Sequence, residues 1–241
     1  MQPISCFDLT FPTPEENLAC DEALLEEAET IGSPGFLRFW ESERNFVVLG
    51  YANRAEEEVD LDACRAQGVP VLRRCSGGGT VLLGPGCLNY ALVLPVDAAP
   101  PMEGISGANR FILERHRDAI GAGTGMPITV EGHTDLALEG RKFSGNAQRR
   151  KRTHLLFHGG FLLEVDLRLV AALLRMPHRQ PDYRRSRAHA DFLTRLETTR
   201  DIVRAALRRA WNASVPAASP PAKAIARLVA EKYSRVEWIF R

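Results

Sequence analysis

The stretch from residue 73 to residue 90 constrains this chain more than any other. It reads Arg73-Arg74-Cys75-Ser76-Gly77-Gly78-Gly79-Thr80-Val81 and, shortly after, Gly84-Pro85-Gly86-Cys87-Leu88-Asn89-Tyr90. Glycine loses more conformational freedom on ordering than any other residue, so three in a row are costly inside a strand or helix. They make sense where a backbone must come very close to another group. Two adjacent guanidiniums make that group an anion: a phosphate, a carboxylate or both. The runs 69–74, 80–83 and 88–94 are rich in residues that suit a pleated surface, so the glycines are predicted to form a loop between strands. The loop is not a P-loop, because no Gly-Lys-Ser/Thr follows at the required spacing. Nor does it open a helix as a dinucleotide fingerprint does.

Elsewhere the periodicity predicts helices over 17–29, 56–68, 106–121, 167–174, 201–211 and 225–232. Thr13, Pro14 and Glu16 form a start signal for the first of these, Asp60 is placed to cap the second half of the next, and Asp166 to cap the helix at 167. Strands are predicted at 36–40, 45–51 and 128–130, and a β meander over 135–138, 142–148 and 155–164. Residues 213–222, with three prolines, read as a loop between the last two helices. Antiparallel-looking strands with intervening helices argue an α+β fold.

A chain of 241 residues buries roughly 70% of its unfolded surface and needs no staples. The net charge of +1 gives no support to broad nucleic-acid or membrane-surface binding. Cationic charge is nevertheless clustered: residues 141–152 hold six Lys or Arg and no acid, and a second basic stretch covers 175–187. Such runs read either as solvated faces or as surfaces turned to an anionic ligand or acidic partner. Cys6, Cys20, Cys64, Cys75 and Cys87 are odd in number and loosely spaced, which predicts neither a disulfide framework nor a zinc site. Residues 1–11 lack the features of a signal peptide, and no run approaches the ~20 apolar residues of a membrane-spanning helix. The expectation is a reduced, cytoplasmic protein with no membrane segment and no bound metal.

Two further constellations carry chemistry. Glu139-Gly140-Arg141-Lys142-Phe143-Ser144-Gly145-Asn146-Ala147-Gln148 sets a lysine in a strand-like run between glycines. A lysine there can neutralise a phosphate and polarise a carbonyl under attack, or it can sit exposed on a surface hairpin. His133-Thr134-Asp135 and His158-Gly159-Gly160 add an aspartate able to hold a hydroxyl, a lysine or a metal, and a histidine able to act as base or as structural donor. No His, Asp and Glu cluster has convincing metal-ligand spacing.

Taken together, Arg73-Arg74-x-Ser76-Gly77-Gly78-Gly79-x-Val81, then Asp135-Leu136, Gly140-x-Lys142-x-Ser144-Gly145-Asn146-Ala147 and His158-Gly159, resemble the lipoate–protein ligase A family, within the wider group of biotin ligases and octanoyl transferases. Asn17-x-Ala19-x-Asp21-Glu22 and Val47-Val48-Leu49-Gly50 extend the resemblance, which covers about residues 17–167. It implies an α+β catalytic domain with a central, largely antiparallel sheet flanked by helices, spanning residues 1–241, with a helical C-terminal extension over 200–241 and no full accessory domain. It implies activation of lipoate or octanoate by ATP, with Mg2+ as part of the ATP complex, to an acyl adenylate. The acyl group then passes to a lysine of a lipoyl carrier domain, from 2-oxoacid dehydrogenases or the glycine cleavage H protein. Mapped onto this chain, Arg73, Arg74, Ser76, Gly77, Gly78 and Gly79 line the acyl-adenylate pocket. Lys142 contacts the acyl carbonyl and phosphate, Asp135 helps orient the incoming amine, Ser144, Gly145, Asn146 and Ala147 wall the nucleotide side, and His158 and Gly159 support the floor.

The resemblance also leaves an alternative open: an octanoyltransferase that moves octanoyl from acyl carrier protein. Transferases of the group hold the acyl group on a cysteine, and here no cysteine occurs beyond Cys87. A thioester route has to use Cys75 or Cys87, with Arg73 or Arg74 as the activating cation. Many ligases of the family carry an accessory domain, so a separate accessory subunit is a further expected partner.

Overall fold

A computed structural model describes residues 2–216 and 219–241. Strand β1 (Ser5–Asp8) leads into helix α1 (Pro14–Ile31). Helix α1 begins where the start signal places it: the Thr13 hydroxyl accepts from the Glu16 N–H, and the Glu16 carboxylate accepts from the Thr13 N–H. It ends at Gly32, whose left-handed φ of 65° lets its N–H reach Ala28 O. Strands β2 (Phe36–Trp40) and β3 (Phe46–Leu49) follow. The single helix expected at 56–68 is two, α2 (Ala55–Glu58) and α3 (Leu61–Ala66). Val59 breaks them by bridging to Leu174, and Asp60 caps the second through Ala63 N–H. Next come β4 (Val71–Arg73), β5 (Val81–Leu83), β6 (Cys87–Pro95) and α4 (Ile105–Thr124).

The strand expected at 128–130 is β7 (Thr129–Glu131), and the predicted meander is β8 (Asp135–Leu138), β9 (Arg141–Arg150) and β10 (His154–Leu162). Then follow α5 (Leu167–Leu173), α6 (His189–Phe192), α7 (Arg200–Ala210), β11 (Val215–Pro216), α8 (Ala222–Leu228) with a π turn at Val229–Tyr233, and α9 (Val236–Ile239). Residues 213–222, expected as loop, thus supply the edge strand β11, while Ala217 and Ala218 lie outside the described residues.

Eight strands form one sheet in the order β11-β1-β2-β6-β10-β9-β8-β7, parallel between β11, β1 and β2 and antiparallel across the rest. A three-stranded sheet, β4-β3-β5, carries the glycine loop between β4 and β5. Strand alternation divides the core. Leu88, Tyr90, Leu92 and Leu94 of β6, with Leu155, Phe157 and Phe161 of β10, pack toward α4 and α7. Ala91, Val93 and Leu156 pack toward α1, α8 and Tyr233. Each fully buried Leu or Phe contributes about 1.5–3 kcal/mol, so both layers hold the large sheet rigid under the site. No helix among the described residues is long and apolar enough to cross a membrane.

Candidate active site

The site face of the large sheet is the one away from α4. Register aligns side chains in rows across the strands. One row is Asp135 of β8, Gly145 of β9, Gly160 of β10 and Asn89 of β6; the next is Ala147, His158, Ala91 and Arg38. Gly145 leaves bare backbone as a floor, whereas Gly160 beside it lies under Cys87, whose Sγ a Cβ there would meet at 2.7 Å. Lys142 lies over that floor, since a Cβ on Gly145 would fall 2.6 Å from Lys142 Nζ. Its ammonium pairs with Asp135 Oδ1 at 2.7 Å, and its side chain keeps 23% exposure.

Simple alternation would turn Lys142 toward α4, because Ser144 faces that way. A register break between Leu136 and Ala137 prevents this: Ser144 pairs with Leu136, whereas Lys142 pairs with Ala137. Phe143 is thereby the extra residue of a β-bulge and packs with the α4 core, and Lys142 is re-aimed onto the site face.

The same alternation corrects three assignments. The Ser144 and Asn146 side chains do not wall the pocket with Gly145 and Ala147. They face α4, where Asn146 accepts from Tyr90 Oη at 2.6 Å and donates to Thr134 O. Gly159 also faces that side, since a Cβ there would fall 2.2 Å from Asn146 Oδ1; its neighbour Gly160 faces the site side, beneath the Cys87 thiol.

The glycine loop covers the second row: a Cβ on Gly78 would sit 3.7 Å from Ala147 Cβ. Ala147 is two residues, about 6.6 Å, along β9 from Gly145. Lys142 Nζ and Gly78 therefore lie on one face, no more than about 13 Å apart. Gly77, Gly78 and Gly79 are exposed, and among the described residues their N–H groups have no acceptor.

Arg74 does not extend toward a ligand as expected but braces the glycine loop, while Arg73 ties residues 50–53 to α9 and keeps one buried nitrogen, Nη2, without a partner among the described residues. Arg73 donates through Nε to Trp238 O and Ile239 O, and through Nη1 to Gly50 O, Tyr51 O and Asn53 O. Arg74 donates through Nη2 to Gly77 O and Gly79 O and through Nε to Ser76 Oγ. Burial pulls its guanidinium down to about 10, still charged at neutral pH. The physical reason is that a tight loop turns carbonyls inward, and buried carbonyls need donors. The donors left at the loop are the glycine amides, with Arg73 Nη2 buried and unpartnered behind them.

His158 joins the loop to the body of the fold. Its Nε2 is 2.6 Å from Ser76 Oγ, and Nδ1–H donates to Asp21 Oδ2 at 3.1 Å. Asp21 Oδ1 accepts from Arg38 Nη1 at 2.7 Å, and small Ala91 between His158 and Arg38 in the row leaves room for it. The order matches the nucleophile–base–acid relay of serine hydrolases. Ser76, however, is only 1% exposed, so here the chain ties the loop to α1.

No cysteine offers a thiolate. Burial pushes Cys20, Cys75 and Cys87 up to about 12 and raises Cys6 and Cys64. The expectation that Arg73 or Arg74 activates Cys75 therefore fails: burial outweighs any nearby cation, and Glu22 adds to the upward shift. Among the described residues no group of three or more His, Cys, Asp or Glu is placed to hold a metal ion. His133, adjacent to Asp135's motif, instead lines a cavity of about 630 Å³ between α4 and β7.

Sequence reasoning missed Arg38 and Tyr183. Arg38 reads as one polar residue inside a bulky strand, and Tyr183, whose hydroxyl donates to Asp135 Oδ2 at 2.7 Å, lies in a stretch without periodicity.

Residues 13–208 match the lipoyl protein ligase A/B catalytic domain. The chain is 32% identical over 166 residues to lipoate-protein ligase A subunit 1 of Thermoplasma acidophilum, covering 67% of this chain and 63% of that one. It is 31% identical over 176 residues to octanoyltransferase LipM of Lysinibacillus sphaericus, covering 64% and 63%. The chain thus spans less than two-thirds of the length of either relative, although it covers 94% of octanoyltransferase LipM of Carboxydothermus hydrogenoformans at 30% identity. A solved lipoate-protein ligase A bound with ATP superimposes with a TM-score of 0.81 at 25% identity, covering 99% of both chains. A bi-partite lipoate protein ligase solved with its E2 lipoyl domain, from T. acidophilum, gives 0.83 at 24% identity over 100% of this chain and 97% of that one, a likeness of fold. The large, mostly antiparallel sheet flanked by helices is shared with these ligases, and the chain belongs to the lipoyl protein ligase A/B catalytic domain family.

Proposed function

We propose that this chain attaches lipoate, or octanoate, to a lysine of a lipoyl carrier domain through an acyl adenylate made from ATP, with Mg2+ entering as part of the ATP complex. One observation carries the reading: the Lys142 ammonium and the free amides of Gly77–Gly79 share one face across a bare floor, while no cysteine offers a thiolate. A mixed carboxylic–phosphoric anhydride with a hydrogen bond at each end spans about 10 Å, within the reach of both groups. In activation the substrate carboxylate attacks the α-phosphorus, a P–O bond forms, and the bond to pyrophosphate breaks. Donors on both sides stabilise that charge, the loop amides from fixed positions and the Lys142 ammonium by turning from Asp135. Transfer to the acceptor lysine then depends on position more than on acid–base groups.

Residues 1–241 act in this reading as one catalytic domain, with 200–241 as its helical extension. The carrier domains belong to 2-oxoacid dehydrogenases or glycine cleavage H protein, and a separate accessory subunit is an expected partner. The similarity to a relative named as a ligase subunit supports that last point. The similarity to octanoyltransferases favours a second reading, transfer of octanoyl from acyl carrier protein. The test is purified protein with a carrier domain, given lipoate plus Mg-ATP or octanoyl-acyl carrier protein. Product only with ATP selects ligation; product only with the thioester donor selects transfer.

A further inference from the structure

The cation that the reaction needs is already engaged, because Lys142 Nζ holds Asp135 Oδ1 at 2.7 Å. The other carboxylate oxygen accepts from Tyr183 Oη at 2.7 Å. Burial, and then the Asp135 charge, push the Tyr183 phenol up, so its hydroxyl keeps its proton and remains a donor. The carboxylate therefore has two unlike holders: a neutral donor on a ring and an ammonium on a flexible stem.

The ring is firmly placed. A Cβ on Gly132 would fall 3.4 Å from the Tyr183 ring and 3.1 Å from Pro181, so the segment lies against the turn before β8. The Tyr183 and Phe192 ring centroids are 5.1 Å apart, with the Arg184 and Arg187 guanidiniums over Phe192. Arg187 Nη2 donates to Gly140 O and Tyr183 O, and the Thr194 N–H donates to Lys142 O. Residues 181–194 are thus a strap fastened at Gly132, Gly140 and Lys142, on both sides of the pair.

We propose that Tyr183 is a positioning residue, and that the Asp135 carboxylate it holds is a seat for a primary ammonium, occupied by Lys142 until the acceptor lysine arrives. This rests on the acyl-transfer reading above. When an acyl phosphate enters, Lys142 gains an anion of its own and leaves Oδ1. The acceptor ammonium takes that oxygen, and Tyr183, still on Oδ2, keeps the carboxylate from turning after Lys142. The acceptor nitrogen loses one proton to water and attacks the acyl carbonyl carbon. The N–C bond forms, the C–O bond to phosphate breaks with its electron pair on the nucleotide, and a second proton leaves to water.

The test is Tyr183→Phe, which removes the hydroxyl and keeps the ring stack. At saturating lipoate and Mg-ATP, transfer to the carrier domain is expected to fall roughly tenfold. Trapping of the acyl adenylate by hydroxylamine, a small neutral nucleophile that needs no carboxylate seat, is expected to stay within about twofold of wild type. Equal loss in both assays makes Tyr183 merely structural and overturns the proposal, as does unchanged transfer. Should Tyr183→Phe fold poorly, Phe192→Leu loosens the strap while keeping the hydroxyl, and the same split, smaller, is expected. If wild type uses neither lipoate nor ATP, the proposed ligation itself has failed. The same comparison with octanoyl-acyl carrier protein as donor then decides, equal rates overturning the seat.

Discussion

The two faces of the large sheet are built by the same strands and do opposite work. Toward α4 and α7 the side chains are large and the polar groups neutral and buried: Tyr90 on Asn146, and Trp211 Nε1 donating to His116 Nε2 at 2.8 Å. Toward the glycine loop the side chains shrink to Gly145, Ala147, Gly160 and Ala91, and the charges appear, Lys142 with Asp135 and Arg38 with Asp21. Period-two alternation lets one strand serve both. On β9, Asn146 belongs to the core while Gly145 and Ala147 belong to the site, and a single bulge residue, Phe143, moves Lys142 from the first category to the second. A rigid hydrophobic layer and a bare reactive surface thus lie one backbone thickness apart. A change on one face should register as stability, and a change on the other as rate.

That contrast is open to direct attack. Phe157→Ala, wholly buried on the α4 side, should cost about 3–5 kcal/mol in denaturant unfolding, while the folded fraction keeps its transfer rate. Lys142→Ala should do the reverse, lowering acyl transfer at least 10²–10³-fold, about 3–4 kcal/mol of transition-state stabilisation, with little change in unfolding midpoint. Gly145→Ala and Gly159→Ala sharpen the comparison between glycines of adjacent strands that face opposite sides of the sheet. The first added methyl meets the tip of Lys142, which shifts, so activity should fall about tenfold. The second meets Gly145 O at 2.5 Å, backbone that cannot yield, so stability should fall by about 1–3 kcal/mol.

The pH response of the core face follows from His116. Burial, helped by Arg115, pushes its imidazole down to about 3, from 6.5 when unfolded. The unfolded chain therefore binds the proton first. The neutral core's stability is complete above pH 6.5 and is lost as pH falls toward 3, by up to about 1.4 kcal/mol per pH unit. Urea titrations at pH 7.5 and 5 should show the loss, and His116→Gln should reduce it. The smallest effect is expected for Cys75→Ala, whose transfer rate should remain within about twofold of wild type, since a buried thiol pushed to about 12 supplies no nucleophile.

Much of this was legible in the sequence where a local rule decides structure. The Thr13–Glu16 box, the Asp60 and Asp166 caps and the meander rest on neighbouring residues, and they formed as read. Features set by tertiary partners were not legible. Strands β1 and β11 are short, and they pair only because the other chain segments bring them together. The bulge at Phe143 has no composition signal, so the facing of Lys142, Ser144 and Asn146 was undetermined even with their motif in plain view. Arg73 and Arg74 were read as anion ligands because sequence shows charge but not which carbonyls surround it. Tyr183 is far from Asp135 in sequence and carries no periodicity, so only the folded strap reveals their contact.

Catalysis in this reading requires Lys142 and the glycine-loop amides to grip the two ends of one acyl–phosphate junction. The most direct measurement is a crystal structure of the protein with a non-hydrolysable lipoyl-adenylate analogue, its phosphate replaced by a sulfamate. The acyl–sulfamate junction is expected over Gly145, with the acyl carbonyl hydrogen-bonded to Lys142 Nζ and the sulfamate to the N–H groups of Gly77–Gly79. An analogue seated away from Gly145, such as in the cavity between α4 and β7, with Lys142 untouched by it, would rule out that grip.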